Sequence, residues 1–215
     1  MRDKVLLFIN GDAPKSLPNP ENYGLIACTD GAFHYLKRMG FPLDKLDFIS
    51  GDFDSHSGSD EGMYEEKFIL TLDQDKTDFH KALEIIQEKG FSEIDVFGGS
   101  GGEQDHFLGN LTVAYTFKDH MDLKFYDEYS VYYFIPKSFK VEGVKNKMIS
   151  LYPFPSAENI TTKGLNWPLE NGSLSITSRI GTRNFAVEDE VSIEYESGDV
   201  LFFVGIKEIE YPAIY

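Results

Sequence analysis

Helical periodicity runs through the first part of the chain and stops at about Glu128. That change constrains the fold more than any single motif does. Before it, strand-like and helix-like stretches alternate. Val5 to Ile9 reads as a buried strand that ends in the turn Asn10-Gly11-Asp12. Leu25 to Cys28 reads as a second strand, and Gly31 to Met39 as a helix stopped by Gly40. Phe48-Ile49 ends a third short strand, and Phe68 to Leu72 is a fourth. From Thr77 to Lys89, the residues Phe79, Ala82, Leu83 and Ile86 fall at i, i+3, i+4 and i+7, the pattern of an amphipathic helix, which Gly90 closes. Ile94 to Phe97 is another strand, followed by a glycine cluster, a helix from about Asp105 to Phe117, and a strand from Leu123 to Tyr126. Strands alternating with helices predict a mostly parallel sheet covered on both faces, a three-layer α/β domain.

After the change, short β-branched and aromatic runs follow one another: Val131 to Ile135, Met148 to Tyr152, Leu174 to Thr177, Val191 to Tyr195 and Val200 to Val204. Turn residues separate them, as at Asn171-Gly172 and Ser197-Gly198-Asp199. This predicts a small antiparallel β domain. The expected division is 1–129 and 130–215, and a chain of 215 residues that is 41% hydrophobic can supply a core for each part.

Charge and cysteine usage narrow the function classes. With 20 Lys+Arg against 36 Asp+Glu the net charge is -16. Such a surface repels phosphate backbones and anionic lipid, so neither nucleic acid nor a membrane is expected as a partner. A phosphorylated ligand would need a cation to mediate. The single cysteine, Cys28, cannot form an internal disulfide, which fits a reducing compartment. The apolar run after Met1-Arg2-Asp3-Lys4 is only five residues long, too short for a signal peptide or a membrane span. The expectation is a cytoplasmic protein.

Four acidic stretches sit where predicted strands end: Thr29-Asp30-Gly31, Gly51-Asp52-Phe53-Asp54-Ser55, Asp73-Gln74-Asp75-Lys76-Thr77-Asp78 and Gln104-Asp105-His106. Strand C-termini of an open parallel sheet share one edge, where ligands bind. Asp52 and Asp54 project to the same side of an extended segment, where they repel unless a cation joins them. Mg²⁺ takes one or two carboxylates plus substrate phosphates. The plain alternative for an isolated D-x-D is a solvated acidic loop. The third stretch is not an EF-hand: the sixth position of that loop needs glycine, and it is Asp78. There the plain alternative is helix capping by Asp75 or Thr77, with Asp78 at the positive helix end. Gly98-Gly99-Ser100-Gly101-Gly102 follows a strand and opens a helix, so its N–H groups suit an anion, or it is a flexible turn. It carries neither the Walker nor the dinucleotide fingerprint. Of the histidines only His106 falls near the expected site. No pair has zinc spacing, and Ser55 lacks the context of a hydrolase nucleophile. Trp167, the sole tryptophan, lies among polar and turn-forming residues. It is either a core residue or a loop residue suited to stacking on a flat cationic ring.

These stretches together resemble the thiamine pyrophosphokinase family. The matching text is Cys28-Thr29-Asp30-Gly31-Ala32, Gly51-Asp52-Phe53-Asp54-Ser55, Asp73-Gln74-Asp75-Lys76-Thr77-Asp78-Phe79, Asp105-His106-Phe107-Leu108-Gly109-Asn110 and Thr161-Thr162-Lys163-Gly164-Leu165-Asn166-Trp167. The resemblance implies an N-terminal α/β catalytic, ATP-binding domain and a C-terminal β-sandwich that binds thiamine. It implies a homodimer with the active site at the subunit interface, and Mg²⁺-dependent transfer of pyrophosphate from ATP to the hydroxyl of thiamine. By motif match Asp52, Asp54 and Asp78 would carry the metal, with Asp75 also in the catalytic set. Asp30, Gln74, Thr77, Asp105, Trp167 and Asn184 would bind the substrates, Trp167 by stacking on thiamine. Two positions depart from the family pattern. Glu103-Gln104 stands where an arginine is common, and Arg183 precedes Asn184 where serine is common.

The expected chemistry is attack of the thiamine hydroxyl on the β-phosphorus of ATP, with AMP leaving. Positioning and charge neutralisation do most of the work in such transfers. No general base is identified: Asp75 and Asp78 are in reach of the role, but a metal-bound carboxylate is a poor base. The alternative is a non-catalytic thiamine- or nucleotide-binding sensor. A sugar-nucleotide transferase shares the D-x-D chemistry but leaves Trp167 and the Asp75 to Asp78 stretch unexplained.

Overall fold

Strand β1 (Lys4–Phe8) is a lysine followed by four apolar residues, all buried, and every residue of β2 (Leu25–Thr29) is buried. Continuous rather than alternating burial is what a strand covered on both faces requires. The computed structural model describes residues 3–52 and 64–209, and the chain divides into two units, Met1–Asp127 and Glu128–Tyr215.

In the first unit β1 and β2 are joined by β3 (Phe48–Gly51), β4 (Phe68–Leu70), β5 (Glu93–Phe97) and β6 (Asp122–Tyr126). Their order is β4-β3-β2-β1-β5-β6, and each pairing is parallel. Helix α1 (Asp30–Arg38) covers one face, where Phe33 and Leu36 pack with Leu6, Phe8, Cys28 and Ile49. Helices α2 (Asp78–Glu88) and α3 (Gln104–Phe117) cover the other. Phe79 of α2 meets Phe125 edge-on at 5.8 Å, and Lys89 at the α2 C-cap lies 5.9 Å over the ring of Phe48. Phe48 and Ile49 are neighbours in one strand and so serve opposite layers. The three-layer expectation is met. Strand order reverses between β1 and β5, the place where ligands of open parallel sheets bind beyond the strand ends. β4 ends at Leu70 rather than Leu72. The main chain of Thr71 still bonds Gly51 (3.0 Å), but Leu72 is exposed.

The second unit contains β7 (Ser130–Ile135), β8 (Ser138–Val141), β9 (Lys147–Lys163), β10 (Gly172–Ser175), β11 (Gly181–Phe185), β12 (Val191–Glu194) and β13 (Ser197–Glu208). Their pairings with one another are antiparallel. β9 organises the sandwich: β13 pairs along it from Lys147 to Glu158, β11 pairs with its first half, and β10 and β12 pair with its second half. Ile149 and Leu151 from one half and Ala157 and Ile160 from the other enter one core with Leu174, Ile193, Val200 and Phe202. Only Met148 to Tyr152 of β9 is evident in the sequence, because Pro153 and Pro155 interrupt the run and proline removes ladder donors. β8 and β11 escape the pattern too, since Ser138 and Lys140 of β8 are exposed and Gly-Thr-Arg-Asn-Phe of β11 has no apolar run.

Candidate active site

A cavity of ≈ 320 Å³ opens at the carboxyl ends of the parallel strands. Each adjacent loop contributes. Asn10 and Gly11 follow β1, Thr29 ends β2, and Asp52 follows β3. Gln74, Thr77 and Asp78 follow β4, and Asp105 and His106 follow β5. Of the residues expected at the site, Asp52, Gln74, Thr77, Asp78 and Asp105 are thus brought together around one space. Asp54 lies outside the described residues. Asp75 does not line the cavity; it is exposed, and its N–H donates to Asp73 Oδ1 at 2.9 Å. Asp30 is buried beneath the strand ends instead. Its Oδ1 accepts from the Gly31 N–H at 2.6 Å, and a Cβ on Gly51 would come within 2.4 Å of its Cγ.

The β4–α2 segment is held by local chemistry. Thr77 is the N-cap of α2, its Oγ1 accepting from the His80 N–H at 3.2 Å. This is the capping that the plain alternative described, and it leaves Gln74 and Asp78 free of that role. Lys81, one turn along α2, is buried. Its Nζ lies 2.8 Å from Asp78 Oδ1 and donates to the carbonyls of Thr71 (3.1 Å) and Asp73 (3.3 Å). Lys81 therefore ties the helix to the loop that carries Gln74, Thr77 and Asp78. Lys76 also lines the cavity and pairs with Glu84 at 2.7 Å, a bond that raises its pKa.

The glycine cluster is built for close approach. The Gly11 N–H donates to Gly98 (2.8 Å) and the Asp12 N–H to Ser100 (2.9 Å), zipping the β1 and β5 loops together. At Gly101, with φ +78°, a Cβ would sit 2.1 Å from the Asp12 carboxylate, so only glycine fits. Asn110 of α3 donates to the Gly99 carbonyl at 3.0 Å. At the cavity floor the hydroxyl of Thr29 is buried without a hydrogen-bond partner. Behind it, burial first and the Asp30 charge second push the Cys28 thiol well above its ordinary range.

The sandwich unit has its own cavity of ≈ 190 Å³, lined by Trp167, Asn184, Leu165, Leu174 and Ile180 among others. Trp167 is 56% exposed, so it is a loop residue and not a core one. Its ring meets Phe185 edge-on at 5.5 Å, and the Asn184 amide is turned onto its main chain.

Comparison with known proteins decides what these parts belong to. The family "Thiamin pyrophosphokinase, catalytic domain" matches residues 20–126, and "Thiamin pyrophosphokinase, vitamin B1 binding domain" matches residues 135–200. Thiamine pyrophosphokinase 2 of Arabidopsis thaliana is 31% identical over 97% of this chain and 88% of its own length. The chain belongs to the thiamin pyrophosphokinase family. A second relative, thiamine pyrophosphokinase of Bacillus subtilis, is 28% identical over 69% of this chain and 73% of its own. The fold matches the crystal structure of yeast thiamin pyrophosphokinase with a TM-score of 0.80 at 20% identity, covering 94% of this chain and 86% of that one. It matches the Bacillus subtilis structure at 0.78 and 22%, covering 95% and 99%. The chain is accordingly an ATP-dependent transferase that moves pyrophosphate to thiamine, and the sensor alternative is not favoured.

Both departures from the pattern of the thiamin pyrophosphokinase family lie outside these two cavities, and Arg183 lines a third one of ≈ 670 Å³ with Ser150, Tyr152 and Phe203. Glu103 is the exposed N-cap of α3, 3.5 Å from His106. Arg183 is exposed on β11 at φ +60°. Sequence reasoning missed Asn10, Lys76, Lys81 and Asn110. Lys81 had a signal, since it follows Asp78 by three residues on a helix, a spacing that pairs side chains. Asn110 ends the matching stretch Asp105 to Asn110 and Asn10 opens the turn after the first strand, but only the fold sets them beside the glycines. Among the described residues no helix is long and apolar enough to cross a membrane.

Proposed function

We propose that the cavity of the first unit holds the triphosphate of ATP while the Trp167 loop of the second unit holds thiamine, in a homodimer whose active site lies at the subunit interface. The observation that carries the reading is the convergence of Asp52, Gln74, Thr77, Asp78 and Asp105 at the strand-order reversal. The thiamine hydroxyl oxygen forms a bond to the β-phosphorus. The bond from that phosphorus to the oxygen of the α-phosphate breaks, and AMP leaves with the electron pair. The hydroxyl proton is released to solvent: Asp75 does not line the cavity, and Asp78, assigned below to the metal and paired with Lys81, is a poor base.

The donor set suits Mg²⁺. Asp52 and Asp78 present hard oxygen donors to one cavity, and two carboxylates with substrate phosphates are what this ion commonly takes. Among the described residues no group of three His, Cys, Asp or Glu could hold a metal unaided, so the phosphates would complete the set. We assign Asp52, Asp54 and Asp78 as its protein ligands; when bound, the cation neutralises phosphate charge as the bond breaks. The protein's own part is placement. Lys81 fixes the loop that presents Gln74 and Asp78, and the glycine loops let main chain approach the phosphates. The lone buried Cys28 accords with a cytoplasmic setting.

The test is product analysis of a single turnover by HPLC. AMP and thiamine diphosphate in equal amounts, with little ADP, is the expected result. Stoichiometric ADP with thiamine monophosphate would overturn the assignment.

A further inference from the structure

The loop that carries Trp167 is paired to the far end of β11. Val187 N–H donates to the Gly164 carbonyl (2.8 Å), Leu165 faces Ala186 in a bridge, and Asn166 N–H donates to the Phe185 carbonyl (3.0 Å). The next rung would need main chain from the following stretch of β11, but that stretch is irregular. Gly181 stands opposite Leu151 and Asn184 opposite Ile149, three steps on one strand against two on the other. The extra residue makes a bulge, a device that re-aims side chains beside sites. Arg183 sits in it at φ +60°, with its N–H donated at 2.9 Å to the Ser150 hydroxyl instead of to a ladder carbonyl.

A side chain supplies the missing rung. Asn184 Oδ1 accepts from the Trp167 N–H at 3.2 Å, and Asn184 Nδ2 donates to the Trp167 carbonyl at 2.7 Å. An asparagine amide carries the same donor and acceptor pair as a peptide group, so it can extend a ladder where the main chain has turned away. Oδ1 also accepts from the Phe185 N–H at 2.8 Å. Its two lone pairs are therefore committed within the protein, which leaves one N–H of the amide for anything else.

The indole is 56% exposed, and its ring contact among the described residues is the edge-on one to Phe185. A flat ring that turns freely must be immobilised when a ligand stacks on it, and that ordering weakens binding. We infer that Asn184 is a positioning residue, clamping the main chain of Trp167 so that the indole is oriented before thiamine arrives. This rests on the assignment of thiamine to Trp167 made above, and it replaces a direct substrate contact for Asn184.

The sole tryptophan makes the test direct, because its fluorescence reports this ring alone. In the ligand-free protein, Asn184→Ala is expected to lower indole anisotropy and to raise quenching by acrylamide. Its thiamine KM should rise roughly five- to tenfold, the loss of about one net hydrogen bond, with the ATP KM unmoved. Asn184→Asp keeps the accepting oxygen but sets a carboxylate oxygen against the Trp167 carbonyl, which it repels, so it should loosen the indole at least as much as Asn184→Ala by anisotropy and quenching. If Asn184→Ala does not fold, Asn184→Asp carries the test alone against wild type. A raised thiamine KM with wild-type anisotropy and quenching would show that Asn184 touches substrate directly, and would overturn the clamp. A loosened indole with unchanged thiamine KM would also overturn it as a positioning device, provided that Trp167→Ala does raise that KM. If Trp167→Ala leaves the thiamine KM unchanged, the failure belongs to the assignment of Trp167, and the anisotropy of Asn184→Ala still decides whether the clamp exists.

Discussion

Lys81→Met is the sharpest probe of how the catalytic edge is held. Methionine keeps the length and apolar bulk of the lysine stem but removes its charge and its donors. The side chain lost is 7% exposed and serves Asp78 at 2.8 Å and the carbonyls of Thr71 and Asp73 at 3.1 and 3.3 Å. Hydrogen bonds from a charged donor are worth ~1.5–3 kcal/mol when buried. Two features reduce that figure here. The Asp78 side chain is 38% exposed, so water can take over part of the ion pair, and Asp73 is exposed as well. The expected loss of stability is therefore ~2 kcal/mol, read from urea unfolding with an unchanged m-value.

Activity should fall further than stability. The loop that Lys81 holds carries Gln74, Thr77 and Asp78, and misplacing reacting groups by ~1 Å costs about a hundredfold in rate. The purified variant should remain folded at assay temperature while its kcat/KM for ATP drops by roughly that factor. A double-mutant cycle with Asp78→Asn should give a coupling of ~1 kcal/mol, because the two side chains share one contact. An unfolding midpoint within error of wild type together with kcat/KM within about twofold would show that Lys81 is not the strut.

Asp52→Asn and Asp54→Asn should each retain a normal melting transition and lose at least ~3 kcal/mol of transition-state stabilisation, over a hundredfold in rate. Near-normal turnover at millimolar Mg²⁺ would remove that residue from the metal set. Trp167→Ala should raise the thiamine KM far more than the ATP KM, by ~0.5–2 kcal/mol of stacking; loss of cooperative unfolding instead would mean that the ring serves the fold. Burial raises the Cys28 thiol pKa. The stability this contributes is present below the unfolded thiol's pKa of about 8.5 and is lost progressively as pH rises from there towards the folded value. Urea midpoints should therefore fall above that pH, and fall less steeply in Cys28→Ala.

The sequence discloses features that a local run can encode. The parallel sheet is evident because its strands are buried on both faces and so read as unbroken apolar runs, as Val5 to Phe8 does. The carboxylates can be gathered in advance because parallel topology carries strand ends to one edge, and Asp52, Asp78 and Asp105 do meet there. Other features depend on partners remote in the chain. β9 is hidden because its prolines look like an end when they mark a bend between two layers. Asn184 enters the sequence reading only by motif match, as a substrate contact, and its bond to the main chain of Trp167, 17 residues away, is set by a bulge in a strand that no apolar run announces. Gly101 reads as flexibility, yet it is a packing requirement set by Asp12.

The same distinction bears on charge. The net charge of -16 alone says that a triphosphate needs a cation, but not whether the protein supplies it. Among the described residues the cavity is lined by two lysines, which offer an answer in the sequence Lys76-Thr77-Asp78-Phe79-His80-Lys81. Their geometry withdraws that offer. Lys76 is bonded to Glu84 at 2.7 Å, with Asp73 at 3.8 Å, and Lys81 to Asp78 at 2.8 Å. Each ammonium is already balanced by a carboxylate of its own helix or loop. A triphosphate entering the cavity therefore meets Asp52 and Asp105 with no surplus positive charge from these lysines, and Coulomb repulsion at such distances is not negligible near a protein surface. On the proposed assignment of the metal, the favourable way in is for the nucleotide to bring its own divalent cation, whereupon Asp52 and Asp78 would change from a barrier into ligands. The acidic edge would then select for the metal-bound form of the nucleotide, while the lysines hold the loop in shape.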